Sequence, residues 1–315
     1  MNQRGRIIVI AATALIAGLT ALSVTGFWAD TLQSGTSAAD GMATPIPTPA
    51  SSSPPVVQFG PSGTQVEFDA LLGDMNVNVI EMAGGTYRGW HLRFAHHRAA
   101  RPLLVRPAPG AAVVWDDTDG TSGDALFYVG WGPGYLPAAN VTDYITFDPA
   151  GTGGSFTIQN YALGQQGLVS TGWVDHVAFN GFHTRGITGV APGWLSWEVY
   201  VSSDGVNRGS NVTFNDWDVA ASADRYVGGL HTFHNPQARN VTALRWRIDG
   251  AKSAITLYGD VTGLDVEGWT ITNCEYAVTS DGTAAGILRN NEATGSTSPP
   301  IIREPLIDGG GNAWH

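Results

Sequence analysis

The chain has little of several things: one cysteine, one lysine, and charged residues at only 14% of 315. The lone Cys274 excludes an intramolecular disulfide framework and any cysteine-rich zinc module. Positive charge is scarce, with 16 Lys+Arg against 27 Asp+Glu and a net charge of −11, so a nucleic-acid-binding surface is excluded. No Gly-rich loop followed by a helix is visible, which removes a nucleotide-type phosphate site. What is abundant is glycine, 41 residues, and tryptophan, 11 residues. So apolar a chain is not disordered throughout, and glycine-rich, charge-poor composition suits an elongated all-β domain.

Arg4 and Arg6 precede an uncharged apolar run over residues 7–29. That pattern is a secretory signal or an uncleaved signal anchor, long enough to span a bilayer. Phe27-Trp28-Ala29 makes a poor cleavage site, which favours the anchor. A spacer rich in Pro, Ser and Thr follows, too polar to bury a core. The expected organisation is 1–30 as signal peptide or anchor, 31–57 as linker and 58–315 as the folded domain. That domain is expected outside the cytoplasm, touching a membrane only through the N-terminal segment.

Two columns of short alternating segments repeat through the folded part. The first comprises residues 155–160, 176–180, 211–215, 240–245 and 260–265; the second comprises 167–170, 198–201, 230–234, 254–258 and 276–279. Alternation marks half-buried strands, and Gly, Asn, Asp and Pro between the columns mark turns. A repeat that buries its inner face only by stacking on the next is a β-solenoid.

The opening of this domain, VEFDALL at 66–72 and NVIEMAGGTY at 78–87, resembles the start of the pectin-lyase-like superfamily. The resemblance implies an all-β, single-stranded, right-handed parallel β-helix with a short N-terminal capping helix. It implies no single chemistry, because that superfamily holds lyases, hydrolases, epimerases and proteins without known activity.

Aligning the second column places Leu168, Val199, His231, Ile255 and Ala277 inward, with Ser170, Val201, Phe233, Leu257 and Thr279. The outward rows are then Val169, Tyr200, Thr232, Thr256 and Val278, and Thr171, Ser202, His234, Tyr258 and Ser280. Tyr200, His234 and Tyr258 on neighbouring coils would form a platform for a sugar. Elimination from a uronate needs a cation on the carboxylate and a base for the C5 proton. Arg225 and Lys252 are candidates for the first role, His234 and Tyr258 for the second, and Tyr200, Thr232 and Asp224 for substrate binding. The expected partner is an extracellular polysaccharide, acidic glycans included; the rival reading is a non-catalytic carbohydrate-binding or interaction module.

A hydrolytic site would need paired carboxylates, for which Asp216 with Asp218, Asp204, Asp224 and Asp281 are candidates. The superfamily's galacturonan-hydrolase signature is missing. Asp116, Asp117 and Asp119 form a partial calcium loop, making Ca²⁺ the one cofactor to consider. Residues 87–106 carry five arginines (Arg88, Arg93, Arg98, Arg101, Arg106) and His91, His96 and His97 without one acid. They make either a polyanion-binding patch or arginines paired with the acidic remainder. Sequons at Asn140, Asn211 and Asn240 share the repeat phase of Asp260-Val-Thr, so they read as strand-start turns. Cys274 reads as a small buried hydrophobe.

Overall fold

A computed structural model describes residues 55–99, 101–118, 120, 125–132, 138–164, 167–189, 196–202, 209–220, 227–232 and 238–315. The described residues are 54% strand with one helix. Its strands form long parallel sheets of ten, nine and seven members, called here the first, second and third sheets. The chain visits them in rotation. Ser210–Asn215 lies in the first, Asp218–Val219 in the second and Val227–Thr232 in the third, before Arg239–Leu244 returns to the first. Each strand pairs with the strand one circuit later, for example Val212 with Val241 and Val219 with Ile248. Stacked parallel sheets of this kind are consistent with a β-solenoid.

The turn from first to second sheet is made by a single left-handed residue. Gly181, Asp216, Arg245, Gly268, Asn290 and Gly311 occupy equivalent corners, with φ between 54° and 70°. A second left-handed row, Tyr144, His176, Asn211, Asn240 and Gly263, lies where the chain enters the first sheet. Asparagine tolerates this conformation, which accounts for two of the sequons. The amide of Asn240 donates to that of Asn211 at 2.9 Å. Asp260 is out of this phase: Arg239 faces Thr262 and Thr242 faces Asp265, so Gly263 is the counterpart of Asn240. Asn140 lies in an exposed bend before Thr142–Phe147.

The core is stacked coil upon coil. Trp217, Trp246 and Trp269 lie beneath successive corners, with centroids 5.1 and 4.5 Å apart and planes within 11°. Each indole donates to a carbonyl of the preceding coil, at Phe179, Phe214 and Ala243 respectively. Asn291 and Asn312 continue the same bond to Val266 and Leu288. Burying an indole is favourable only if its N–H finds such an acceptor.

The helix Gln65–Gly73 covers the first coils, with Phe68 and Leu72 fully buried. Thr64 and Glu67 form a reciprocal capping box at its start. At its other end Arg98, 0% exposed, donates to the carbonyls of Leu72, Asp74, Val77 and Arg101. Of these, Leu72 and the C-cap residue Asp74 carry acceptors that the helix C-terminus leaves behind, while Val77 and Arg101 lie in the segments that follow. No helix among the described residues is long and apolar enough to cross a membrane, and the run at 7–29 lies outside them.

A buried acid interrupts the core. Glu198 is wholly buried, and Thr184 occupies the otherwise apolar row Ile158, Thr184, Val219, Ile248; Glu198 Oε2 and Thr184 Oγ1 are both buried without a hydrogen bond of normal geometry. Burial pushes the Glu198 carboxyl up to about 8, the nearby Thr184 hydroxyl acting in the opposite direction. Cys274 is likewise fully buried, its thiol raised to about 11 by burial, as its reading as a small hydrophobe anticipates.

Candidate functional site

The third sheet runs in order through Leu92–Phe94, Phe127–Val129, Gly167–Thr171, Ser196–Val201, Val227–Thr232, Ser253–Leu257 and Tyr276–Ser280. Its register corrects the expected rows. Val169 pairs with Val199, Leu230 and Ile255 follow, and Val278 completes an inward row. The outward row is Arg93, Tyr128, Ser170, Tyr200, His231, Thr256 and Thr279. His231 therefore faces outward instead of inward. Thr232 lies between Val201 and Leu257 in the inward row and is 0% exposed, so it is not available to a substrate.

The reason is a local break in alternation. Leu168-Val169, Ala254-Ile255 and Ala277-Val278 each put two consecutive side chains into the core. A slip of one residue exchanges the faces of every side chain in a strand.

Four rings gather on the outward side. Trp197 stacks on His231 at 3.9 Å, Tyr200 lies 5.5 Å from His231, and Tyr258 meets His231 edge-on at 5.8 Å. Gly228 stands beside Trp197, where a Cβ would come within 2.8 Å of the indole. Burial raises the Tyr200 hydroxyl to about 12.

Beyond this cluster opens a cleft of ≈ 460 Å³. Its floor carries linked hydroxyls, Ser253 to Thr279 at 3.3 Å and Thr279 to Thr256 at 3.4 Å. Tyr258 and Tyr276 contribute aromatic surface, and Ile301 with Arg303 closes one side through the bridge between Thr279 and Ile301. Lys252 lines the cleft with its ammonium 3.5 Å from Glu275. Asp281 lines it too. Burial opposes its ionisation, but bonds from Thr283 and the Gly259 N–H outweigh burial and hold the carboxyl low.

Of the expected catalytic residues, Lys252 and Tyr258 come together in this cleft, and Tyr200, expected in substrate binding, adjoins it through His231. Asp224, Arg225, His234, Phe233, Asp204 and Asp119 lie outside the described residues. Sequence reasoning missed Arg303 and Tyr276 as lining residues, and His231 as an outward one. Arg303 sits in a segment without the repeat pattern, so only the fold places it.

The other candidates separate. Asp216 is a left-handed corner residue and not a strand neighbour of Asp218; Arg245 holds both its oxygens, at 2.7 and 2.8 Å. Asp218 instead meets His183 at 3.3 Å. Asp116 accepts from Thr118 and Asn160, which outweigh its burial and draw its carboxyl down to about 2. Asp117 lies 3.3 Å from His91. Among the described residues no three His, Cys, Asp or Glu side chains are grouped to hold a metal ion.

The basic segment is mostly paired with partners. Arg88 faces Asp116, Arg106 faces Glu81, His96 faces Asp69, His97 faces Asp143, and Arg93 lies over the Tyr128 ring at 4.5 Å. With Arg98 buried as well, most cations of the segment have partners within the first coils, while Arg88 and His97 keep more than half of their side chains exposed. Comparison with family models, curated proteins and solved structures gives no match.

Proposed function

We propose that this chain is an exported right-handed parallel β-helix that binds or processes an extracellular polysaccharide along its third sheet. The observation that carries the reading is the cleft beside His231, where aromatic surface, a row of hydroxyls and two cations converge. Sugars present apolar faces that rest on rings and hydroxyls that exchange hydrogen bonds with such a floor. Lys252 and Arg303 suit a uronate carboxylate.

If the glycan is cleaved, the chemistry this cleft favours is β-elimination. The cations neutralise the carboxylate, a base takes the proton at C5, and the C4–O bond breaks as the C4=C5 double bond forms. Tyr258 is the base candidate among the described residues. The second reading, a non-catalytic binding module, is favoured by the internal partners that Lys252 and Asp281 already have.

Pectate, alginate and glycosaminoglycans incubated with the protein, with and without calcium, separate the two. A rise in ultraviolet absorbance that Lys252→Met and Tyr258→Phe abolish is expected of a lyase. Retardation on glycan gels without any product identifies a binding module, and neither result on any glycan overturns the proposal.

A further inference from the structure

A second groove, of ≈ 500 Å³, lies where the first sheet turns into the second, and it shares no residue with the cleft at Tyr258. Its floor is one outward row at the strand ends: Asp148, Asn180 and Asn215. These three stand on successive coils, about 4.8 Å apart. One wall is the turn at residues 149–154, and the other is the Asp216–Arg245 pair.

The polar groups of this groove are fixed in direction. Asn180 Oδ1 accepts the Asn215 N–H at 3.3 Å, and Asn215 Oδ1 accepts the Leu244 N–H at 3.2 Å. Because a backbone N–H needs the carbonyl side of each amide, the NH₂ side is oriented away from the strand as a donor. Asn180 Nδ2 reaches Asp148 Oδ2 at 3.3 Å, which leaves that carboxylate further lone pairs.

The wall is preformed as well. Asp148 Oδ1 accepts the Ala150 N–H at 2.8 Å, Thr152 Oγ1 donates to Pro149 O at 2.7 Å, and Gly110 N–H donates to Thr152 O at 2.9 Å. Gly151 and Gly153 adopt φ of 74° and 66° with open space where a Cβ would stand, so bare backbone borders the groove.

Charge selects the ligand. Arg245 and Asp216 neutralise each other through two bonds, and Asp148 remains as an acceptor that repels anions. Amide donors and a carboxylate acceptor on a rigid floor match hydroxyl groups, and the coil spacing approximates the length of one pyranose ring. We propose that this groove binds a neutral, linear oligosaccharide running along the coil axis, hydrogen-bonded to Asp148, Asn180 and Asn215.

Calorimetric titration of the full chain with cellohexaose, xylohexaose, mannohexaose and chitohexaose tests this, with hexagalacturonate as the charged comparison. At least one neutral hexasaccharide is expected to bind. Asn215→Asp, which keeps the acceptor for Leu244 and removes the donor, should weaken that binding tenfold or more at an unchanged melting temperature. In the unaltered protein the bound sugar should slow hydrogen exchange over residues 149–154, a readout independent of how the variant folds. The proposal is overturned if none of the four binds, if protection falls on residues 253–258 instead, or if hexagalacturonate protects 149–154 equally. Activity on uronates reports on the other cleft and decides nothing here.

Discussion

The indole of Trp197 and the imidazole of His231 lie face to face across two successive coils, 3.9 Å between centroids and 9° between planes. Gly228 stands in register with Trp197, and its missing side chain is what lets the indole fold over the next strand. His231→Ala should cost about 2–4 kcal/mol by removing the stack and leaving a void. His231→Phe should recover at least half of that in urea unfolding. Gly228→Ala should also destabilise, because its Cβ would come within 2.9 Å of the Ser253 carbonyl, a backbone atom that cannot step aside. An unchanged urea midpoint in His231→Ala would show that the stack contributes nothing.

The buried Glu198 makes stability depend on pH. Its folded value of about 8 lies above the ordinary 4.5, so the folded chain keeps a proton that the unfolded chain releases. Stability from this group is full below the ordinary value and is lost as pH rises towards 8. Glu198→Gln should therefore gain about 3 kcal/mol on the original protein between pH 4 and pH 7. Urea midpoints measured for both proteins at the two pH values check this; equal gaps at both would refute it.

Trp246 sits in the middle of the indole stack, with its N–H on the Phe214 carbonyl. Trp246→Phe keeps a ring but orphans a buried acceptor and should cost about 1–3 kcal/mol. Trp246→Ala should cost about 3–5 kcal/mol. Near-ultraviolet circular dichroism should lose its strongest tryptophan signal in both.

Arg98 ties the capping helix to the coil beneath it through four carbonyls. Arg98→Met should accelerate hydrogen exchange in Gln65–Gly73 by at least tenfold, while strands such as Arg239–Leu244 stay protected. Uniform acceleration along the chain would mean the residue stabilises the whole fold and not its cap.

Much of the fold was legible in the sequence because the physics was local. The capping helix was expected from the resemblance carried by residues 66–72, and both columns of strands from their alternation, while the Thr64–Glu67 capping box was a signal present and not used. The failures came where a local rule met a non-local one. Period-two alternation breaks at Leu168-Val169 and Ala277-Val278, so the expected rows slipped by one and exchanged His231 with Thr232. Arginines close in sequence read equally as a patch or as partners of distant acids, because the acceptors Glu81 and Asp116 and most of the carbonyls around Arg98 come from other elements. A signal that was present and not used is Trp217, Trp246 and Trp269, each two residues before a Val or Ile on the second sheet. Of the site, Lys252, Tyr258 and Tyr200 were reachable because they sit in repeats; Arg303 was not.

The bonds from Trp217, Trp246, Trp269, Asn291 and Asn312 all run the same way, from a side chain to a carbonyl of the coil before it. Each coil is thus latched by its successor and latches its predecessor. Such a stack has a direction built into it: a coil's carbonyl stays open until the next indole or amide arrives. Assembly from the capped end therefore presents an open carbonyl at its growing face, whereas assembly from the other end presents an open indole or amide N–H.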